Sequence, residues 1–218
     1  ADMAAGGQGA PLAPVFHAAM LGRLNVGLPA VLVNVGGIAN LTWFDGRDGL
    51  IGFDTGPGNA LMDDYMRKYC DAAFDKNGEL AASGIADWQL VHEWLRMPFF
   101  AANWPKSLDR LAFHHCLDDP RLLVKPIADA MASLALFTAK SIAAAIEQLP
   151  VAPQTILIAG GGAWNLCLLS ILRHQFGTVL HDGNFCEDEP LFWPDTLEAE
   201  LMAFLAARHV AGLPTSFP

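Results

Sequence analysis

Basic residues are scarce in this sequence. Its 218 residues include 13 lysines and arginines against 23 aspartates and glutamates, a formal net charge of −10 at pH 7. A nucleic-acid surface normally requires a basic patch, so this balance argues against nucleic acid as a partner. It does not argue against a nucleotide such as ATP, because backbone amides and a metal ion can hold phosphates without many lysines.

Paired cysteines and a secretion signal are lacking as well. The four cysteines are far apart and form no CxxC pair (Cys70, Cys116, Cys167 and Cys186), which favours free thiols in a reducing compartment. The first residues have neither the basic start nor the apolar centre of a signal peptide. We therefore expect a cytoplasmic protein.

One apolar run, from Ile127 to Ile146, is long enough to be mistaken for a membrane span. Asp129 and Lys140 interrupt it, and such residues are costly in the middle of a membrane. The alanine-rich composition instead predicts a helix buried on most sides of a large core. We therefore expect no membrane partner.

Two glycine-rich stretches carry most of the functional information, residues 34–42 and 158–165, and each follows a short apolar, β-branched run. Glycine permits positive φ and lets a ligand approach main-chain amides without a Cβ in the way. An acidic turn, residues 52–59 with Asp54, follows the first stretch. Together they predict a pocket for a phosphate-bearing ligand with a carboxylate beside it.

The order of predicted elements indicates the fold class. A helix over residues 11–22 precedes a meander of strands at 30–34, 39–44 and 50–53, followed by helices at 60–70, 86–96 and 126–148. A strand at 155–159, a helix at 163–175, a strand at 178–181 and a helix at 195–209 complete the chain. Hairpins first and crossover helices later predict an α/β protein with a mixed sheet flanked by helices.

Asp54 has two interpretations that the residues alone leave open. Directly after a predicted strand, its carboxylate could act as a general base on a bound hydroxyl or water, or it could only bond nearby turn amides. The triplet Asp54-Thr55-Gly56 also matches aspartic proteases, whose mechanism needs two such carboxylates. A single copy is present, and the long helices after Ala60 are foreign to that all-β fold.

Three further polar groups have ordinary structural explanations. Glu198 would lie in the first turn of the last helix, where an acidic residue is favourable. Lys106, Ser107 and Arg110 could contact phosphate or sugar oxygens, although such clusters are usually solvated loops. The run His114-His115-Cys116 has no second ligand pair at a useful spacing, so we assign no metal-ligating residues.

Several segments, in order, resemble anhydro-N-acetylmuramic acid kinases: residues 4–12, 34–42, 52–59 and 61–63, Pro105-Lys106-Ser107 with Arg110, 160–163 with Asn165, and Glu198-Ala199. That family belongs to the sugar kinase, Hsp70 and actin superfamily, in which two lobes close over ATP. The resemblance implies phosphorylation of 1,6-anhydro-N-acetylmuramic acid at its 6-oxygen by ATP and Mg²⁺, while water opens the anhydro ring. The product, N-acetylmuramic acid 6-phosphate, would return to metabolism in cell-wall recycling, and the enzyme would be a homodimer.

The resemblance also implies roles for individual residues. Asp54 matches the catalytic base that activates the attacking water. The nucleotide-binding positions would be Asn34, Gly36, Gly37, Asn40 and Thr42 on the phosphates, and Gly160, Gly161, Gly162 and Asn165 on the adenosine. The amino sugar would contact Gly6, Gly7, Gln8, Gly9, Pro11 and Glu198.

Two departures from the family pattern matter. Leu108-Asp109 stand where the family usually has Thr-Gly, which weakens a role for that loop. The first phosphate loop, a Gly-Thr-Ser-Met-Asp-Gly type segment, is missing, so the chain looks like the C-terminal part of the enzyme. We expect residues 1–29 to be a remnant of the N-terminal lobe and residues 30–218 a ribonuclease H-like C-terminal ATPase lobe. We expect this segment alone to be inactive; the alternative is a noncatalytic remnant that binds nucleotide or amino sugar.

Overall fold

The computed structural model of the chain describes residues 12–177, 180–181 and 196–215. Its strands are β1 (Ala30–Val35), β2 (Ile38–Phe44), β3 (Leu50–Pro57), β4 (Thr155–Ala159) and β5 (Leu180–His181). Its helices are α1 (Pro14–Arg23), α2 (Ala60–Tyr69), α3 (Glu79–Ala82), α4 (Trp88–Trp94), α5 (Pro98–Ala101), α6 (Pro120–Leu123), α7 (Ile127–Glu147), α8 (Leu166–Phe176) and α9 (Leu197–Val210). Short 3₁₀ turns cover Lys76–Gly78, His114–Asp118 and Gly161–Trp164.

The strands form one mixed sheet in the order β3-β2-β1-β4-β5. The first three strands are an antiparallel meander, whereas β4 pairs parallel to β1 and β5 parallel to β4. A parallel pair requires a crossover connection, and the helices between β3 and β4 provide it. The predicted α/β class with a mixed sheet is therefore confirmed.

The third strand is longer than the sequence predicts. β3 runs to Pro57 and still pairs with β2 there, with a bulge opposite Ala39 and Asn40. The prediction that Asp54 comes after the strand, at the start of a turn, is therefore wrong. The glycines and the proline are tolerated because β3 lies at an edge of the sheet, where bulges and prolines are found.

Each face of the sheet packs against its own pair of helices. Along β1, Val31, Val33 and Val35 pack on the side of α7 and α8. Ala30 and Leu32 point the other way and pack with α1 and α9. Alternate residues of a strand point to opposite faces, so Asn34 lies on the α1 face of the sheet.

The apolar run found in the sequence forms α7. It is the one described helix that is long and apolar enough to cross a membrane, but 72% of its apolar window is buried inside the protein. Its polar side chains have partners within the protein: Asp129 accepts a hydrogen bond from Ile85 N–H at 2.7 Å, and Thr138 donates one to Gly58 O at 2.9 Å. The prediction of a buried core helix is confirmed.

A buried histidine in α1 leads to a prediction about acid stability. His17 is 1% exposed, its Nδ1 lies 2.8 Å from Thr42 Oγ1, and burial lowers its pKa to about 4. An unfolded histidine has a pKa of about 6.5. The contribution of the neutral His17 side chain to the unfolding free energy is therefore complete above about pH 6.5 and is lost as the pH falls towards about 4. Within that window this group should lower the unfolding free energy by up to about 1.4 kcal/mol per pH unit.

His17→Gln should therefore make the unfolding free energy less dependent on pH between 7 and 5 than in the unaltered protein. Urea unfolding at several pH values measures this, with the exposed His92→Gln as the control. Equal pH slopes for the unaltered protein and His17→Gln would contradict the assignment.

Candidate active site

Three polar side chains lie side by side across β1, β2 and β3. Asn34 pairs with Asn40, and Asn40 pairs with Asp54. Directly paired residues of neighbouring strands point to the same face, so these side chains form a polar row on the α1 face. The Oδ1 atom of Asn40 is buried and has no hydrogen-bond partner among the described residues. Because buried polar atoms normally have a partner, this atom indicates a place for a bound polar group.

Asp54 lies at the end of the polar row, on the edge strand β3, and within the described part of the chain only one oxygen of its carboxylate has a hydrogen-bond partner. It is 7% exposed, and its Oδ2 accepts a hydrogen bond from Leu108 N–H at 2.7 Å. Among the described residues, no group donates to Oδ1. Burial raises the pKa of Asp54, and the bond from Leu108 opposes that shift. The carboxylate is therefore held in place through one oxygen and is more basic than an ordinary aspartate.

The first glycine turn, Gly36-Gly37, connects β1 to β2. Its carbonyl oxygens accept hydrogen bonds from three successive N–H groups at the start of α2: Gly58 and Ala60 donate to Gly37, and Asn59 donates to Gly36. Within the described part of the chain, the N–H groups of Gly36 and Gly37 themselves have no acceptor. An exposed turn with unpaired amides is suited to an anion.

The second glycine turn, Gly160–Gly162, lies against the first. Because β1 and β4 are parallel, their carboxyl ends lie at the same end of the sheet. Gly160 has φ of +72°, and a Cβ there would clash with Asn34 Oδ1, so only glycine fits. Gly161 and Gly162 begin a 3₁₀ turn, and among the described residues their N–H groups have no acceptor. Two sets of unpaired amides therefore lie at the carboxyl ends of β1 and β4.

Two of the sequence-predicted residues use their side chains inside the protein. Thr42 is fully buried beside His17. Asn165 caps α8, because its Oδ1 accepts a hydrogen bond from Leu168 N–H at 3.0 Å. Both side chains stabilise local structure, and their contact with a nucleotide stays a prediction.

The predicted sugar-binding residues are described in part. Glu198 is exposed in the first turn of α9, and its neighbour Leu197 packs with Leu32 and Ala159 on the α1 face. The other positions, Gly6, Gly7, Gln8, Gly9 and Pro11, lie outside the described residues. Their role in binding the amino sugar also stays a prediction, as does the domain division after residue 29.

The segment after Pro105 positions Asp54 and does not present its lysine to solvent. Lys106 O accepts a hydrogen bond from Asp54 N–H at 3.0 Å. Lys106 is buried, and its Nζ donates to Phe99 O and Ala102 O at 3.3 and 3.0 Å. Desolvation lowers the pKa of Lys106. The sequence indicated a polar cluster here, but the hydrogen bonds between this segment and Asp54 were missed.

Asn59 was missed as well. Its Nδ2 donates to Val35 O at 3.1 Å and lies beside Gly161, so its side chain stands between the two glycine turns. The available signal was its place after Pro57-Gly58, at the start of a helix, where asparagine is a common cap. Here Asn59 connects two turns and makes no side-chain cap of α2.

A cavity of about 580 Å³ lies apart from these residues, between α3, α7 and α8. Alanines and leucine from α3 and α7 line it together with Trp88, Lys140 and His174. None of the described site residues lines this cavity. The candidate site is therefore the polar row together with the two glycine turns that follow β1 and β4.

The fold has a counterpart among solved structures. The activator of the 2-hydroxyisocaproyl-CoA dehydratase from Clostridium difficile, solved with bound ADPNP, is similar over 93% of this chain and 70% of its own, with a TM-score of 0.53 and 13% identity. At this identity the likeness concerns the fold alone.

Several curated relatives share one name. Proteins named anhydro-N-acetylmuramic acid kinase from Bradyrhizobium diazoefficiens and Rhodopseudomonas palustris are each 45% identical over the whole of this chain. One from Rhizobium rhizogenes is 37% identical. The chain spans 57–58% of the length of these relatives. The profile of the family described as anhydro-N-acetylmuramic acid kinase matches residues 1–218. The chain belongs to the anhydro-N-acetylmuramic acid kinase family.

Proposed function

We propose that this chain forms the nucleotide-binding and base-carrying part of an ATP-dependent kinase for 1,6-anhydro-N-acetylmuramic acid. The observation that carries the proposal is the meeting of two amide-rich glycine turns with the polar row that ends at Asp54. The ADPNP in the solved structure of similar fold supports ATP as the nucleotide. The name shared by the relatives supports the amino sugar as the acceptor.

The chemistry assigns different tasks to the turns and to the carboxylate. Phosphoryl transfer depends mainly on positioning and charge stabilisation, and the amides of Gly36 and Gly37 would face the β- and γ-phosphates. Gly160–Gly162 would lie along the adenosine. Asp54, held through Oδ2, would use its free Oδ1 to take a proton from the water that attacks the anomeric carbon. Opening of the ring would leave the 6-oxygen to accept the phosphoryl group.

Mg²⁺ is part of the proposal as the partner of ATP. Among the described residues, no cluster of three or more His, Cys, Asp or Glu side chains could hold a metal ion by itself. Mg²⁺ is commonly bound largely by phosphates and water, with one or two carboxylates at most. When bound, the ion would neutralise charge on the transferred phosphoryl group. The cytoplasmic location stays a prediction from the cysteines and the N-terminal residues, and the homodimer stays a prediction from the resemblance.

Isotope labelling tests the reaction. The complete two-lobed kinase, incubated with ATP, Mg²⁺ and the anhydro sugar in ¹⁸O-labelled water, should give N-acetylmuramic acid 6-phosphate with one ¹⁸O atom at C1. Mass spectrometry of the product detects the added phosphate, and mass spectrometry of its C1 fragment detects the ¹⁸O atom. A phosphorylated product with an intact anhydro ring would contradict the role of water, and ATP binding without any product would favour the noncatalytic alternative.

A further inference from the structure

An arginine side chain covers the first glycine turn. The Nε atom of Arg110 lies 3.7 Å from the place where a Cβ on Gly37 would stand, so its guanidinium packs directly on that turn. The side chain is 53% exposed. Its Nη2 donates to Asp64, whereas among the described residues its Nε and Nη1 have no acceptor. Arg110 therefore has unused donors beside the unpaired amides of Gly36 and Gly37.

Asp64, in α2, holds Arg110 in this position. The Nη2 atom of Arg110 contacts Oδ1 and Oδ2 of Asp64 at 3.1 and 3.2 Å. Asp64 also pairs with Arg67, and its Oδ2 lies 2.6 Å from His114 Nε2. Burial would raise the pKa of Asp64, but the hydrogen bond from His114 and the charges of Arg110, His114 and Arg67 hold it below its usual value. The carboxylate thus stays ionised and fixes one side of the guanidinium.

We propose that Arg110 binds the terminal phosphate of the nucleotide at the Gly36-Gly37 turn, and that Asp64 is its positioning residue. This inference rests on the proposed kinase function. Arginine suits the task because its planar guanidinium can donate several hydrogen bonds at once, some to a carboxylate and others to phosphate oxygens. With Lys106 turned into the protein, Arg110 is the cation of that segment that faces the turn.

The assignment to the terminal phosphate has a specific consequence. Loss of a residue that contacts the γ-phosphate weakens binding of ATP and leaves binding of ADP unchanged, whereas loss of a residue that only stabilises the fold weakens binding of both. A hydrogen bond to a charged group contributes about 1.5–3 kcal/mol. Arg110→Gln should therefore weaken ATP binding about ten- to a hundredfold, with less than about a twofold change for ADP.

The test is calorimetric titration of the complete two-lobed kinase with ATP and with ADP, in the presence of Mg²⁺. The variants are Arg110→Gln, Arg110→Lys and Asp64→Asn, and the matched control is Arg67→Gln, which removes an arginine from the same carboxylate but not from the turn. We expect Arg110→Lys to recover part of the ATP affinity and Asp64→Asn to lower it selectively. Arg67→Gln should leave the affinity for both nucleotides within about twofold, as is usual for exposed ion pairs.

The outcomes separate this inference from the proposed function. If the unaltered complete kinase binds neither ATP nor ADP, the proposed function and this inference both fail. If the complete kinase binds both nucleotides and Arg110→Gln leaves the ratio of ATP to ADP affinity unchanged, only the inference fails. Equal weakening of ATP binding by Arg110→Gln and Arg67→Gln would also overturn it, since the effect would then come from Asp64 alone.

Discussion

Asp54→Asn should lower kcat of the complete kinase by about 10²–10⁴-fold, the usual effect of losing a positioned general base. The substitution keeps the shape of the side chain and an oxygen that can accept the hydrogen bond from Leu108 N–H. What it removes is the free basic oxygen that would take a proton from the attacking water. Binding of ATP and the sugar should therefore persist, and the loss should appear in kcat.

The same substitution should leave the thermal stability of the protein unchanged or raise it. Burial raises the pKa of Asp54 in the folded protein, so the folded state favours the protonated carboxyl. The corresponding stabilisation is present at low pH, below the pKa of the unfolded chain, and is lost as pH rises through the folded pKa. At neutral pH the ionised carboxylate therefore opposes folding, and Asp54→Asn should leave Tm at pH 7 unchanged or higher.

A second aspartate provides the matched control. Asp45, between β2 and β3, accepts hydrogen bonds from Arg47 N–H and Gly49 N–H at 2.7 and 3.0 Å, so it is a turn-stabilising residue. Asp45→Asn should retain full kcat. The measurement is kcat and Tm on both variants: normal kcat with a depressed Tm for Asp54→Asn would show that Asp54, too, is only a structural residue.

The order of strands and helices could be predicted because it depends on local patterns. The β-branched runs before the glycines mark β1 and β4, and their parallel pairing brings the two glycine turns together. The end of β3 could not be predicted in the same way. Gly52, Gly56 and Pro57 suggest a turn by composition, but pairing with β2 at the sheet edge keeps this segment extended.

The contacts that define the candidate site depend on residues far apart in the chain. Threonine is more often exposed than buried, yet the hydroxyl of Thr42 is hydrogen-bonded to His17, 25 residues earlier in the chain. Arg110 and Asp64 are 46 residues apart. No spacing rule connects such pairs, because the packing of the folded chain and not proximity in sequence brings them together. Sequence reasoning could therefore indicate which residue types belong to the site, but not which of them are already satisfied inside the protein.

Gly161→Val should abolish measurable nucleotide binding while the fold stays intact, a loss of about a hundredfold or more in affinity. Nucleotide binding at a glycine turn requires close approach to its amides, and a branched side chain blocks that approach. The fold should tolerate the change, because a Cβ on Gly161 would lie 3.3 Å from Asn59 Nδ2, the end of a side chain that can move. No positive φ is required at this position.

The adjacent glycine and a distant one make the comparison specific. A Cβ on Gly162 would clash with the side chain of Val35, which is fully buried, so Gly162→Val should lower stability by about 1–3 kcal/mol. A Cβ on Gly22, near the end of α1, would meet nothing within 4 Å, so Gly22→Val should retain both Tm and ATP affinity. Calorimetric ATP titration and thermal unfolding of the three variants, each made in the complete two-lobed kinase, measure these effects. If Gly161→Val matched Gly22→Val in both measurements, the nucleotide would not lie along the second glycine turn.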